Sequence, residues 1–156
     1  MNWLIIRTDF RKEQYVARQI INAGFDAWVP VQIIACRPQI ARRITAKTGL
    51  KAYREICLLP RRVFVSMPLE AAEEAVHGKV GGIRHAVAVE RNAALEAISV
   101  PSAEITQFRT AIDAENTAAL ALATRPSRRQ KARWRSLHDA LVEMIQTARE
   151  QLEQAA

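Results

Sequence analysis

Ile56-Cys57-Leu58-Leu59-Pro60-Arg61-Arg62-Val63-Phe64-Val65 is the stretch whose reading decides the fold. Each apolar run is too short for a helix, and Pro60 cannot donate to a ladder, so the stretch reads as two strand pieces broken at the proline. Upstream, Trp3-Leu4-Ile5-Ile6 is a continuous apolar run that reads as a buried strand. Between Arg11 and Ala23, Val16, Ala17, Ile20 and Ile21 recur at helical spacing, and Gly24 closes that helix. Phe25, Ala27, Val29 and Val31 alternate with other residues as in a half-buried strand, which Pro30 makes an edge or bends. Arg37–Lys51 has weak periodicity and contains Gly49, and is expected to be a long mobile loop.

Downstream, Pro68 suits a helix start, Glu70, Glu73 and Glu74 complement its positive end, and Gly78 stops it. Gly81-Gly82 turns into a strand over Ile83–Val89, and Pro101 opens a helix with Ile105, Phe108 and Ile112 on one side. After Thr124 an Arg-Pro-Ser linker leads to a last long helix. Its stripe is Trp134, Leu137, Leu141, Met144, Ile145, Ala148 and Leu152. The order β-α-β-β-β-α-β followed by helices predicts an α+β sheet layered with helices, not a doubly wound fold. The final stripe has three readings: packing back on the domain, pairing with its twin as a short coiled coil, or docking on another protein. Packing back is the default.

With 156 residues, 49% of them hydrophobic, the chain supports one domain plus an appendage. Its charge is uneven. Residues 1–62 carry 12 Lys and Arg against 4 acids, residues 63–115 carry 4 against 8, and residues 116–156 carry 7 against 4. Ala27–Arg54 and Asn116–His138 contain no acid, and their cations include Arg42, Arg43 and Lys47 in the first and Arg128, Arg129 and Lys131 in the second. Such segments point to a polyanionic partner, with a solvated surface as the plain alternative.

Other chemistry is not expected. Cys36 and Cys57 lack zinc-ligand spacing; neighbouring strands could bring them together, and in the cytosol both are expected to remain thiols. His77, His85 and His138 are scattered, the serines lack a nucleophile-elbow context, and no Gly-rich phosphate loop occurs, so neither an enzyme nor a cofactor is expected. The first apolar run meets Arg7 and Asp9 too soon for a secretory signal, and no apolar stretch approaches the ~18 residues of a membrane span. A cytoplasmic protein without membrane contact is expected.

The ordered set resembles the N-terminal domain of NusG-family transcription elongation and antitermination factors. The resemblance rests on the Trp3-led strand running into Arg7-Thr8, the Glu13–Ala23 helix closed by Gly24-Phe25, and Pro30 ending the next apolar stretch. Leu58–Val65 is similar to the family's aromatic-Pro-Gly-Tyr-Val segment, and Gly82-Ile83 with Val100-Pro101-Ser102-Ala103-Glu104-Ile105 is similar to its close. The similarity covers about residues 2–110. It implies an antiparallel four-stranded sheet flanked by helices over residues 1–110; the residues themselves add a helical extension over 111–156 that includes a basic linker at 123–135.

It further implies a non-catalytic factor that binds the clamp coiled coil of bacterial RNA polymerase beside the upstream DNA of the elongation complex. Carried over by position, the polymerase contact is Ile5, Arg7, Leu59, Pro60, Arg62 and Phe64, and Arg11, Lys12 and Arg18 lie near the exposed DNA strand. Trp3 belongs either to that patch or to the core. Two departures stand out. Arg61 and Arg62 replace the family's Gly and Tyr, and no glycine follows Gly82 to build the usual second barrel (KOW) domain. Should the last helix cover the Leu59-Pro60 patch, it becomes an autoinhibitory lid. The rival reading is a stand-alone single-strand nucleic-acid binding module using an RNA-recognition-like sheet, which needs aromatics on bare central strands.

Overall fold

The computed structural model describes residues 2–36, 38–48, 53–78, 82–122 and 126–155. The first half of the chain runs β1 (Asn2–Thr8), α1 (Glu13–Asn22), β2 (Asp26–Trp28), β3 (Val31–Ala35), α2 (Pro38–Thr48), β4 (Tyr53–Cys57) and β5 (Arg62–Ser66). The second half runs α3 (Leu69–His77), β6 (Ala86–Val89), β7 (Ser99–Pro101), α4 (Ser102–Leu122) and α5 (Arg128–Ala155). Among the described residues no helix is long and apolar enough to cross a membrane.

β1 is central because the run Trp3–Ile6 is apolar on both faces. One edge pairs antiparallel with β5, and β5 pairs with β2. The other edge of β1 is shared end to end: β6 lies along Ile6–Thr8 and β7 along Asn2–Leu4. The sheet therefore has five strands, not the expected four. The fourth column is interrupted where the chain loops out between Arg91 and Ala97, which bridge across the neck of that loop.

Leu4, Ile6, Val63 and Val65 face α1 and α3, whose Val16, Ala17, Ile20 and Ala72 complete one apolar layer. Trp3, Ile5 and Phe64 face the other way, into a layer with Ile105 and Ile112 of α4 and Trp134, Leu141, Met144, Ile145 and Ala148 of α5. Phe108, Leu137 and Leu152 pack at its border. Of the three readings for the final stripe, the fold thus contains the first. α4 runs unbroken past residue 110, and α5 begins inside the expected linker, opened by a reciprocal cap. The Gln130 N–H donates to Ser127 Oγ at 3.2 Å, and the Ser127 N–H donates to Gln130 Oε1 at 2.7 Å. Ser127-x-x-Gln130 is legible in the sequence as that signature.

The strand expected over 25–31 divides at Pro30: β2 stays in the main sheet, and β3 leaves it to pair with β4 as a separate ribbon. The expected loop over 37–51 is also corrected, since its centre is α2. Pro38 stands at the first helical position, where its missing N–H is no loss, and no glycine interrupts 38–48. Arg37 and residues 49–52, Gly49 among them, lie outside the described residues. The ribbon is fastened to α4 by Asn116, a buried amide that accepts the Ile33 N–H at 2.8 Å and donates to the Val31 carbonyl at 2.9 Å.

The two cysteines do not approach each other. Val31 is opposite Cys57 and Ala35 is opposite Tyr53, so Cys36 follows the far end of the ribbon, five residues or roughly 17 Å from Cys57. Burial, aided by the Glu13 charge, pushes the Cys57 thiol up to about 11, with a backbone hydrogen bond at Leu59 opposing the shift.

Two outcomes follow. Asn116→Ala leaves an N–H and a carbonyl of β3 without their partner, and should cost about 1–3 kcal/mol in urea unfolding. At pH 8 only about one Cys57 thiol in a thousand is ionised, so iodoacetamide followed by peptide mass analysis should find Cys36 modified well before Cys57.

Candidate partner interface

The Pro60 corner is a four-residue turn in which the Arg62 N–H donates to the Leu59 carbonyl at 3.3 Å. Arg61, third in the turn, has φ +67°, the left-handed region that favours glycine. Where the resemblance expects glycine, the backbone therefore has the conformation glycine would take, at a cost of about 1–2 kcal/mol for arginine. The buried carboxylate of Glu13, at the start of α1, offsets part of that cost by accepting the Arg61 N–H at 2.6 Å.

Ile5 and Phe64 sit opposite each other across β1 and β5, and Leu59 enters the same apolar layer from the turn. All three are inside: Ile5 and Phe64 are 0% exposed and Leu59 is 2% exposed. The Phe64 and Trp28 rings lie 5.3 Å apart, and α4 and α5 supply the rest of the layer. Of the six residues expected to meet a polymerase, Arg7 and Pro60 are exposed and Arg62 is half-buried. Trp3 is a core residue at 6% exposure, with the Arg109 guanidinium 5.7 Å from its ring.

The border of this covered patch is electrostatic. Glu90, just after β6, is buried and receives Arg62 at both carboxylate oxygens, from Nε at 2.8 Å and from a terminal nitrogen at 3.2 Å. Arg149 of α5 donates to the same carboxylate at 3.0 Å. The hydrogen bond to Glu90 raises the Arg62 pKa further above its already high ordinary value, against the opposing effect of burial. Glu90 thus ties the strand after the Pro60 turn to the last helix.

The expected nucleic-acid contacts fall on three elements. Arg11, Lys12 and Arg18 are exposed at the start and on the outer face of α1, and Arg42, Arg43 and Lys47 are exposed on α2. Arg128, Arg129 and Lys131 are exposed on the first turn of α5, not in a linker. One groove of about 530 Å³ brings Arg11 together with Arg54, Phe10 and Pro60. It joins the α1 start to the base of the ribbon. Phe10 is 57% exposed, with the Arg11 guanidinium 5.1 Å from its ring. His85 meets Asp9 at 2.9 Å and the edge of Tyr15.

Arg61→Gly should stabilise the chain by about 0.5–1 kcal/mol, the relief of left-handed strain less the entropy glycine adds to the unfolded state. Arg61→Val should destabilise it by about 1–2 kcal/mol, both read in urea unfolding.

Compared with protein-family models and with curated proteins, the chain matches none.

Proposed function

We propose that the protein is a non-catalytic transcription elongation or antitermination factor of NusG type, which binds the clamp coiled coil of RNA polymerase and lies beside the upstream DNA. One observation carries the reading. The apolar surface around Ile5, Leu59 and Phe64 lies beside a Pro60-Arg61 turn in the glycine conformation and is covered by helices that follow the sheet in sequence. That surface is available to a coiled coil only when α5 leaves it, so α5 acts as a lid and polymerase binding is coupled to its release. The exposed cations on α1, α2 and the start of α5 serve as sequence-blind phosphate contacts that hold the DNA.

The sheet-based nucleic-acid reading is the weaker of the two, because both faces of the sheet carry helices and leave no central strand bare for base stacking.

Replacing Phe64 is a poor test, since truncating a fully buried aromatic costs about 3–5 kcal/mol. Weakening the lid from its own side is cleaner. Leu141, fully buried on α5, should lose about 2–5 kcal/mol of packing when replaced by alanine. Each 1.4 kcal/mol taken from docking raises the open population about tenfold. Retention of full-length Leu141→Ala by core RNA polymerase should therefore exceed that of wild type by tenfold or more. No retention of either chain removes the polymerase reading, and equal retention removes the lid. In a second measurement, Arg42→Ala/Arg43→Ala/Lys47→Ala should lower the slope of log affinity against log salt for the DNA-bound complex, by about 0.7–0.9 for each phosphate no longer neutralised.

A further inference from the structure

A cleft of about 850 Å³ opens where the end of α5 passes β1, β5 and β6, and its chemistry is not that of an apolar docking surface. Four guanidinium groups line it, from Arg7, Arg62, Arg91 and Arg149, against two carboxylates, Glu73 and Glu90. The excess is two positive charges. Arg7 and Arg62 stand directly opposite each other across β1 and β5, a placement in which like charges repel. The carboxylates are already engaged: Glu90 holds Arg62 and Arg149, and Glu73 pairs with Arg91. Arg7 has no side-chain partner among the described residues. The Arg149 Nε is buried without a hydrogen-bond acceptor. Arg7 without a side-chain partner and Arg149 with an unmet donor both line this cleft, and both call for an anion with several acceptor oxygens.

We infer that this cleft binds a phosphate-class anion through Arg7, Arg62 and Arg149. A phosphate group offers three acceptor oxygens and close to two charges, matching both the excess charge and the fork geometry of guanidinium. Arg7 and Arg62 belong to the sheet and Arg149 to α5, so the bound anion bridges the two and holds α5 down. Anion binding here is independent of polymerase binding: it stands or falls on the cleft alone, and a failed pull-down leaves it intact.

The test uses the full chain with inorganic pyrophosphate as the probe, read by thermal unfolding, calorimetry and amide exchange. Pyrophosphate should bind saturably, raise the melting temperature above that in sodium chloride of matched ionic strength, and slow exchange of the α5 amides around Arg149 by tenfold or more. Arg7 is exposed, so Arg7→Gln keeps the fold and should weaken binding at least tenfold; Arg135→Gln, exposed on the same helix as Arg149, should not change it. Displacement of pyrophosphate by a single-stranded oligonucleotide assigns the site to a phosphodiester backbone, and its failure to compete assigns it to a free phosphorylated small molecule. Non-saturable binding, or equal affinity in Arg7→Gln, overturns the inference.

Discussion

The fold is governed by a sheet that is apolar on both sides. Burying a side chain such as Ile5 or Phe64 stabilises by about 1.5–3 kcal/mol, and leaving one face wet forfeits that for every residue on it. Helices α1 and α3, within the β-strand succession, cover only the face of Leu4, Ile6, Val63 and Val65. The face of Trp3, Ile5 and Phe64 is completed by the end of the chain, where α4 and α5 arrive. The residues that complete the core therefore include Ile5, Leu59 and Phe64, which the resemblance assigns to a partner contact. On the proposed function, a partner must supply an equivalent apolar helical surface to offset the exposure that release of α5 would create, and a coiled coil has that chemistry.

Polar groups decide how tightly the second layer is held. Glu90 reaches one strand and one helix at once, and Asn116 fastens the ribbon to α4 through two backbone groups. A buried carboxylate between two guanidinium groups is a conditional fastener: removing a partner leaves charge uncompensated in a low-dielectric place. The ribbon with α2 is a different case. α4 runs along it, from Asn116 near its base to Leu120, whose carbonyl accepts the Tyr53 hydroxyl at 3.3 Å near the far end, while the cations of α2 remain in solvent.

Much of this was legible in the residues. Period and punctuation found β1, α1 with its Gly24 stop, the break at Pro60, and the α5 stripe at its correct positions, because each is a local pattern with a local cause. Gly24, at φ +91°, is such a case. The failures were non-local or came from weak local signals. α2 is obscured in the sequence because Ile40 and Ile44 are its only large apolar residues and three cations share its eleven positions, although Pro38 marks its start. The five-strand count was missed because β6 and β7 are four and three residues long and share one edge of β1. Glu90 is a lone acid after an apolar strand, and Asn116 is one of two amides in its helix, with Gln107. Only the third dimension sets either beside its partners.

The departures from the resembled pattern fall where α5 is fastened to the strand after the Pro60 turn. Arg61 keeps the left-handed turn that glycine would make, so the geometry of the corner survives the substitution. Arg62, standing where the pattern has tyrosine, does not lie bare as an anchor; its guanidinium is held by Glu90, and through Glu90 it is joined to Arg149 of α5. An aromatic at this position would leave Glu90 with one cation in place of two and a buried carboxylate partly unmatched. Arginine at 62 and a helix carrying Arg149 are thus parts of one arrangement. The replacement that weakens the corner as an apolar contact also fastens the helix that covers it.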